Sequence, residues 1–427
     1  MKQQVRWAAT QAVLRAAARY GVRKGDPQAR LIADPRVLAD PTPYFEELRA
    51  QGPLVRGRVA FITVDHHVAH DLLRSEDFHV VNMGRNLPRP LRWVEEHTRG
   101  GVLHPLQPPS LLAVEPPTHT RYRKTVSSVF TPRAVAALGD RVETAANSLL
   151  DEIDGRAGAV DIVEHYCARL PVAIIGDILG VPEHDRPRIL EFGELAAPSL
   201  DIGLSWPQYQ RVQRGLEGFG HWLTSHLNYL RRNPGDNLMS QLIQKSDAGA
   251  HLTDVELQAT AGLVLAAGFE TTVNLLGNGI DLLLASPDQR QMLSDRPELW
   301  SNAVEEILRM ESPVQISARV ARTDRVIAGT PVQRGEMVVI SLAGANRDPS
   351  VFDHPANFDV ERSNANKHLS FSAGRHFCLG AALARAEGEV GLRTFFERFP
   401  DVAPAGKGTR RETRVLHGWA SLPVTLA

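Results

Sequence analysis

The pattern of apolar and polar positions along the chain is mostly that of amphipathic helices, interrupted at proline-rich points. The stretch "DPTPYFEELRAQGP" predicts a helix that begins near residue 42 and ends at Gly52-Pro53. The stretch that follows, "LVRGRVAFITVD", predicts a short β-hairpin. Helices recur to about residue 312, and "RVIAGTPVQRGEMVVISLAG" then predicts strand, turn and strand. The pattern therefore predicts a mainly α fold with a smaller β region.

One predicted helix is unusually long and is apolar on all sides. It begins at the capping box Thr253-x-x-Glu256 and stops before Pro287, so about 32 residues can be helical, roughly 48 Å in length. A helix that is apolar all round is a buried helix, so the polar residues Glu270 and Thr271 at its centre are costly to place there.

The small residues just before this polar pair leave room for a bulky group against the helix backbone. Gly268 and a threonine hydroxyl bonded to the preceding turn would loosen the helix locally. An opening lined by a carboxylate and a hydroxyl suits proton delivery. The alternative is structural: Gly268 allows close helix packing and Glu270 pairs with an arginine elsewhere in the chain.

Composition and charge exclude several classes of protein. The chain has 427 residues, a net charge of −1 and 43% hydrophobic residues, as in a large globular protein without the basic field that binds nucleic acid. Its two cysteines, Cys167 and Cys378, cannot form a disulfide framework, so a cytoplasmic protein is expected. No uncharged apolar run reaches the roughly 20 residues of a membrane span.

The first 24 residues contain six basic residues and no acidic one. They could form an amphipathic helix that contacts a membrane surface or a partner, or a transit peptide. A solvated helix packed on the body of the protein is the simpler interpretation.

The second cysteine lies in a segment with unusual chemistry, "FSAGRHFCLGAALARAE" at residues 371–387. Gly374 and Gly380 flank Cys378, where the backbone could approach a flat ligand closely. The alanine-rich residues from Leu379 onward predict a helix whose first amides, with Arg375 and His376, favour a thiolate. Such a thiolate is either a nucleophile or a metal ligand.

Together these segments resemble the cytochrome P-450 superfamily. Phe371-x-x-Gly374-x-x-x-Cys378-x-Gly380 is similar to the family's haem-binding loop, and Ala267-Gly268-x-Glu270-Thr271-Thr272 to its oxygen-activation motif. Glu306-x-x-Arg309 is similar to its helix-K motif. The likeness runs from about residue 42 to the end and is greatest to soluble bacterial members. It implies the P-450 fold with the long helix over a haem, and divides the chain into a basic, helical extension (1–40) and a haem-thiolate monooxygenase domain (41–427).

The resemblance also implies roles for individual residues. Cys378 would ligate the iron of haem b, and Glu270 would relay protons while Thr271 bonds the oxygen being activated. Residues that match positions around the haem are His119, Arg123, Arg319 and His376 at the propionates, with Ala267, Gly268, Phe371, Gly374 and Gly380 beside the ring. Glu306, Arg309 and Arg362 would form a structural charge network. Ser372 departs from the family pattern, since glycine is common there.

The implied activity is insertion of one atom of O₂ into an apolar substrate, usually at a C–H bond, while the other atom leaves as water. Two alternatives stay open: a peroxide-driven haem-thiolate hydroxylase, against which the Glu270-Thr271 pair argues, and a haem-binding sensor or carrier without oxygenation.

Partners and substrate follow from the same resemblance. Nothing in the chain resembles a flavin or ferredoxin domain, so electrons would come from a ferredoxin and its NAD(P)H-dependent reductase. Candidates for a basic docking face are Arg121, Lys124, Arg375 and Arg385. Candidate pocket walls are the loop at 80–114, the helical region at 183–230, and segments 312–317 and 415–421. These walls are largely apolar, which suits a lipid, steroid, terpene or polyketide.

Overall fold

Helices form most of the structure, as the periodicity predicted. The computed structural model of the protein describes residues 2–82, 89–98, 100–127, 138–246 and 252–426. In chain order the helices are α1 (Lys2–Trp7), α2 (Val13–Arg23), α3 (Pro27–Ala33), α4 (Pro35–Ala39), α5 (Thr42–Arg49), α6 (His66–Arg74), α7 (Arg89–Thr98), α8 (Thr118–Ser127), α9 (Gly139–Asp151), α10 (Arg169–Leu179), α11 (Arg186–Ala196), α12 (Trp206–Arg232), α13 (Leu238–Lys245), α14 (Asp254–Leu284), α15 (Pro287–Asp295), α16 (Trp300–Met310), α17 (Leu342–Ala345) and α18 (Ala381–Arg398). A π-helical turn, Ala8–Ala12, joins α1 to α2.

The strands are short and lie in small sheets. They are β1 (Val55–Arg56), β2 (Ala60–Thr63), β3 (Phe78–Val80), β4 (Ala159–Asp161), β5 (Ile316–Ala321), β6 (Arg325–Ile327), β7 (Thr330–Val332), β8 (Met337–Ser341), β9 (Ala403–Pro404), β10 (Thr409–Arg410), β11 (Trp419–Ser421) and β12 (Pro423–Thr425). The largest sheet has the order β1-β2-β8-β5-β3. Strands β2 and β8 pair in parallel, whereas β5 is antiparallel to both β8 and β3. The predicted hairpin at residues 54–65 is the β1–β2 pair.

The long helix α14 is the centre of the helical core. Both hydrogen bonds of the predicted capping box form, from Thr253 N to Glu256 Oε2 at 2.8 Å and from Glu256 N to Thr253 Oγ1 at 3.4 Å. Helices α10, α16 and α18 pack against α14, and apolar residues such as Leu276 and Ile280 are buried there. By length and composition α14 could cross a membrane, although it contains no uncharged apolar run of that length. Its most apolar stretch is 61% buried inside the fold, as in the core helix of a globular protein.

The N-terminal segment is helical and packs on the rest of the chain. Leu31, Ile32 and Val37 belong to the same buried apolar cluster as Ile62 of β2 and Val339 of β8. Residues on the other side of α1 and α2, among them Val5, Val13 and Tyr20, are exposed. The division of the chain at residue 40 stays a prediction.

Candidate active site

The cysteine segment is a tight loop wedged between α6 and α18. Cys378 N donates to Phe371 O at 2.9 Å, which closes the loop. Gly374 has φ +69°, and a Cβ there would lie 2.8 Å from both Arg74 Cα and Leu73 O. Gly374 is therefore required by its backbone angle and by the approach of α6. Nothing described lies within 4 Å of the position that a Cβ on Gly380 would take, so the close approach to a flat ligand expected at both glycines suits Gly380 alone.

Ser372, the departure from the family pattern, has φ +62°. This left-handed conformation is unfavourable for residues other than glycine by about 1 kcal/mol or more. The geometry gives a physical reason why glycine is common at this position, and it indicates that serine adds local strain rather than a new contact.

The thiol of Cys378 lies in a recess. The side chain is solvent-accessible, yet burial raises the pKa of the thiol. The two observations are compatible if protein atoms surround the thiol on most sides while water reaches it from one side. The Gly380 amide, Arg123 and Arg385 act in the opposite direction and lower this pKa, but burial outweighs them. The helix-start amide thus acts as expected, whereas the two cations are not the expected Arg375 and His376.

Arg375 and His376 instead face Glu115, a residue that the sequence analysis did not single out. Glu115 accepts from Val80 N at 2.7 Å and from Arg375 Nη1 at 3.3 Å. His376 Nε2 lies 3.8 Å from Glu115 Oε1, too far for a hydrogen bond. Burial alone would raise the pKa of Glu115, but His376, the Val80 amide and Arg322 together lower it to about 2. Glu115 is therefore a charged carboxylate at neutral pH.

Three of the four residues predicted to bind propionates, His119, Arg319 and His376, lie near this carboxylate, whereas Arg123 interacts with Cys378. His119 of α8 and His376 have ring centroids 4.3 Å apart, and Arg319 of β5 is buried. Three of these side chains each have one buried nitrogen without a hydrogen-bond partner among the described residues: His119 Nε2, Arg319 Nη2 and His376 Nε2. Burial lowers the pKa of His119 to about 4 and that of Arg319 to about 10. Arg123 makes no hydrogen bond or ion pair to any residue that the structure describes.

These features fit a haem. Buried polar atoms in proteins almost always have partners, so three unpaired ones in neighbouring side chains indicate a partner that the polypeptide does not supply. A pair of propionates would provide the acceptor oxygens. Phe371 is buried beneath the guanidinium of Arg385, whose Cζ lies 4.6 Å from the ring centroid. Ala267 on α14 is exposed although it lies in the middle of a buried helix, so the helix borders an open space there.

The acid and threonine of α14 are arranged differently from each other. Thr271 Oγ1 donates to Ala267 O at 2.9 Å. Glu270 is buried and lies 3.0 Å from Arg411 Nη1, with both side chains nearly inaccessible at 6% and 12% exposed. Burial raises the pKa of Glu270, Arg411 lowers it, and Glu194 raises it further. Glu270 therefore pairs with an arginine elsewhere in the chain, Arg411, as the structural alternative predicted.

The expected loosening of this helix is wrong. Helix α14 is continuous from Asp254 to Leu284, and the hydroxyls of Thr271 and Thr272 bond the carbonyls four residues earlier without breaking it. A Cβ at Gly268 would lie 3.1 Å from Ile175 Cδ1 of α10. Gly268 therefore allows α10 to pack closely on α14, and the room for a bulky group lies on the side of Ala267.

A cavity of about 230 Å³ leads from the surface to Arg411. Its lining comes from α11, the turn before α12, α12 itself and residues 411–414, with Ala420. Residues of the helical region at 183–230 and of the segment at 415–421 therefore line this cavity, whereas residues of 80–114 and 312–317 do not. Six lining residues are charged: Glu194, Asp201, Arg211, Arg411, Glu412 and Arg414. The prediction of largely apolar walls for the substrate pocket stays a prediction.

The helix-K residues lie away from the recess and are fully bonded. Arg309 Nε and Nη2 donate to Glu306 at 2.7 and 2.8 Å, and Arg362 Nε lies 3.1 Å from the same carboxylate. Arg309 also donates to the carbonyls of Asn346, Pro355 and Asn357. The geometry is that of a structural cluster that ties α16 to the segment before the cysteine loop.

Two residues of the site were missed by the sequence analysis, Glu115 and Arg411. Glu115 had a usable signal, because it stands four residues before His119 in "EPPTHTRYRK". Arg411 had none, since its partner Glu270 is 141 residues away in the chain (411 − 270) and its neighbours are unremarkable in sequence.

Comparisons with known proteins agree with this geometry. The family model described as cytochrome P-450 matches residues 288–412. Cytochrome P-450 140 of Mycobacterium tuberculosis is 64% identical over 429 aligned positions, covering 100% of this chain and 98% of the relative. Vitamin D(3) 25-hydroxylase of Pseudonocardia autotrophica is 34% identical over 91% of this chain and 94% of the relative. The crystal structure of cytochrome P-450 BioI with an acyl carrier protein superposes with a TM-score of 0.84 at 31% identity, covering 92% of this chain and 100% of that one.

Proposed function

Because this chain belongs to the cytochrome P-450 family and therefore uses a haem, we propose that it is a haem-thiolate monooxygenase that inserts one atom of O₂ into an apolar organic substrate. The observation that carries the proposal is the group of buried, unpaired nitrogens in His119, Arg319 and His376, close in the chain or in space to the accessible thiol of Cys378. Hydroxylases among the relatives support the reaction class, since vitamin D(3) 25-hydroxylase is 34% identical to this chain.

The cofactor is haem b, held at its iron by Cys378 and at its propionates by His119, Arg123, Arg319 and His376. When bound, the haem supplies the activation of O₂ and the transfer of one oxygen atom to the substrate. Phe371 and Gly380 support the loop beside the ring, while Gly374 holds the loop against α6. Ala267 gives the face of α14 the space that a flat group needs.

Thr271 and Glu270 handle protons. Thr271 can turn its hydroxyl from Ala267 O to a group in the open space, because a hydroxyl donates and accepts. Burial raises the pKa of Glu270 above the usual range of a carboxyl group, which suits a group that takes up and releases protons. Arg411 positions the Glu270 carboxylate and faces the water-accessible cavity, so protons from solvent reach Glu270 on that side.

Electrons come from a separate ferredoxin and its reductase, in the cytoplasm. Of the four cations predicted for docking, three are engaged within the chain. Arg121 bonds Glu256, Arg375 bonds Glu115, and Arg385 bonds Glu305. Lys124 is exposed and has no ion pair with another residue in the described ranges, so it is the strongest candidate for contact with an acidic redox partner. The exposed, basic face of residues 2–24 is a candidate for weak contact with a membrane surface.

The substrate is a sizeable apolar molecule of the lipid, steroid, terpene or polyketide type. Relatives support this range, because the names of two of them are 6-deoxyerythronolide B hydroxylase, at 40% identity over 73% of this chain, and vitamin D(3) 25-hydroxylase. The charged lining of the cavity at Arg411 does not favour one of these chemical types over another.

The deciding experiment is the absorption spectrum of the reduced, carbon monoxide-bound protein, compared with Cys378→Ser and with Cys167→Ser. Cys167 is the matched control, because it is a fully buried core residue. We expect a strongly red-shifted Soret band in the wild type and in Cys167→Ser, and its loss in Cys378→Ser. A histidine-type band, or no bound haem, would refute the proposal.

A further inference from the structure

Side chains of the N-terminal helices hydrogen-bond all the backbone polar groups of one turn, at Gly203 and Leu204. Trp7 Nε1 donates to Leu204 O at 2.9 Å, and Arg15 Nη1 donates to Gly203 O at 3.2 Å. Gln11 Oε1 accepts from both Gly203 N and Leu204 N, at 2.8 and 3.1 Å. Three side chains spaced four residues apart, on one face of the helices, thus satisfy every backbone polar group of Gly203 and Leu204.

The contact is buried and close. Gln11 is only 6% exposed, and the indole rings of Trp7 and Trp206 lie 5.6 Å apart, edge to face. A Cβ on Gly203, which has φ +74°, would lie 3.2 Å from Arg15 Cα. Glycine at this position therefore lets the two backbones approach each other. Hydrogen bonds in such a contact are shielded from water and contribute more to local stability than exposed ones.

The same turn forms one wall of the cavity that reaches Arg411. Asp201 and Leu204 line this cavity, and Asp201 accepts from the backbone amides of Arg414 and Val415 at 3.1 and 2.9 Å. The turn is thus held between the N-terminal helices on one side and the C-terminal segment on the other. For a molecule to pass this wall, contacts on one of those sides must break.

The cavity is too small for a sizeable ligand unless one of its walls moves. Its volume is about 230 Å³, whereas sites for small molecules usually measure roughly 300–1,000 Å³. A sizeable apolar molecule can enter beside Arg411 only if a wall of the cavity moves outward, and the turn is one such wall. Water, which is much smaller, can enter without any movement.

We propose that Trp7, Gln11 and Arg15 form a latch that positions the turn at Gly203 and Leu204, and so sets the rate at which ligands pass the cavity to the haem. The destination of the ligand rests on the proposed function, but the latch itself does not. The helices also bind a second element, since Arg6 Nη2 lies 3.5 Å from the buried Glu95 of α7. Gln107 Nε2 donates to the same carboxylate at 3.1 Å, so the latch is anchored on both sides.

Hydrogen exchange followed by mass spectrometry on the full-length, haem-loaded protein tests the latch. Gln11→Ala removes the shared acceptor, so peptides covering residues 199–206 should exchange about tenfold faster or more, with the rest of the chain unchanged. Gln11→Glu keeps an acceptor oxygen and should restore slow exchange. Gln4→Ala is the matched control, since Gln4 is exposed on the adjoining helix α1. Unchanged exchange in Gln11→Ala, or equal acceleration in Gln11→Glu, would overturn the proposal.

The effect on entry is measured with 4-phenylimidazole, an apolar probe whose binding to haem shifts the Soret band. Its association rate should rise in Gln11→Ala and stay at the wild-type value in Gln11→Glu and Gln4→Ala. A rate that stays constant while exchange accelerates would refute control of entry. If the protein holds no haem, the probe experiment fails and refutes the proposed function, while the exchange experiment still decides on the latch. Should Gln11→Ala not fold, Arg15→Ala, which removes one bond to the same turn, is expected to show the same local acceleration.

Discussion

Two groups of buried charged and polar side chains in this protein differ in one respect. Around Glu306, Arg309 and Arg362 donate hydrogen bonds to the Glu306 carboxylate and to backbone carbonyls. Around the thiol recess, His119 and Arg319 are buried as well and His376 is half-buried, but each has a buried nitrogen without a partner among the described residues. The first group is complete in the polypeptide, whereas the second is complete only with something added to it.

The difference separates structural charges from charges that serve a ligand. A buried donor without a partner costs about 1–3 kcal/mol, and more if it is charged. A fold that keeps three such atoms in adjacent side chains gives up stability for binding. Burial and charge alone do not distinguish the two groups, since Arg309 and Arg319 are both buried arginines. What distinguishes them is that several neighbouring side chains of the second group each have a buried atom without a partner among the described residues.

The largest expected effect on stability comes from disrupting the fully bonded cluster around Glu306. Glu306→Ala leaves Arg309 and Arg362 buried without their counterion, and should reduce the free energy of unfolding by about 3–5 kcal/mol. Urea unfolding followed by circular dichroism measures this, with Glu298→Ala, an exposed glutamate before the same helix, as the control that changes little. Equal stability of the two variants would show that the cluster is not structural.

The second variant removes Arg319, one of the buried charges that lacks a full set of hydrogen-bond partners among the described residues. Arg319→Met should leave the haem-free protein as stable as the wild type or more so, because burial already disfavours the cation and lowers its pKa to about 10. Haem should dissociate about tenfold faster or more, since a charge-assisted hydrogen bond is worth about 1.5–3 kcal/mol. Transfer of haem to apomyoglobin measures the rate. Arg334→Met, at an exposed arginine, is the control, and a large loss of stability in the haem-free Arg319→Met protein would contradict the interpretation.

Glu305 and Glu270 should make opposite contributions to the pH dependence of stability. Hydrogen bonds from His368 and Arg385 overcome burial and lower the pKa of Glu305 to about 2. Its contribution is therefore present above its unfolded pKa near 4.5, and is lost as the pH falls through about 2. Burial raises the pKa of Glu270, so the native state binds this proton more tightly and stability falls as the pH rises through the raised value.

Opposite changes are therefore expected at pH 8. Glu305→Gln should lose about 1–3 kcal/mol of unfolding free energy, whereas Glu270→Gln should gain stability there and none at pH 4. Urea unfolding at the two pH values measures both. A loss of stability at pH 8 in Glu270→Gln would mean that the pair with Arg411 outweighs the cost of burial.

Local features of the sequence predicted much of this protein. The capping box at Thr253 and the stop before Pro287 define α14 correctly, because both signals act within a few residues. The hydroxyl of Thr271 was expected to loosen the helix, but packing of α10 on Gly268 holds it continuous.

Features that depend on tertiary contacts could not be predicted in the same way. Arg411 reaches Glu270, and Gln11 reaches Gly203, through folding that brings distant segments together. The sequence around a charged residue does not show which distant residue it pairs with. The docking face shows the same limit: the sequence presented four equivalent cations, and the structure leaves Lys124 as the exposed one without an ion pair among residues it describes.

The smallest expected effect concerns that surface cation and extends the comparison from a haem to a protein partner. Lys124 and Arg121 lie one turn apart on α8, but Arg121 donates to both oxygens of Glu256, at 3.1 and 2.7 Å. If a charge without an internal partner serves an external one, Lys124→Glu should slow reduction by a ferredoxin about threefold at low salt, and the difference should vanish at high salt. Arg121→Glu should have less effect on reduction and more on stability, because it faces Glu256. Stopped-flow reduction at two ionic strengths measures both variants. Equal slowing would mean that the partner responds to the total charge of this face, and that internal pairing does not decide which cations it contacts.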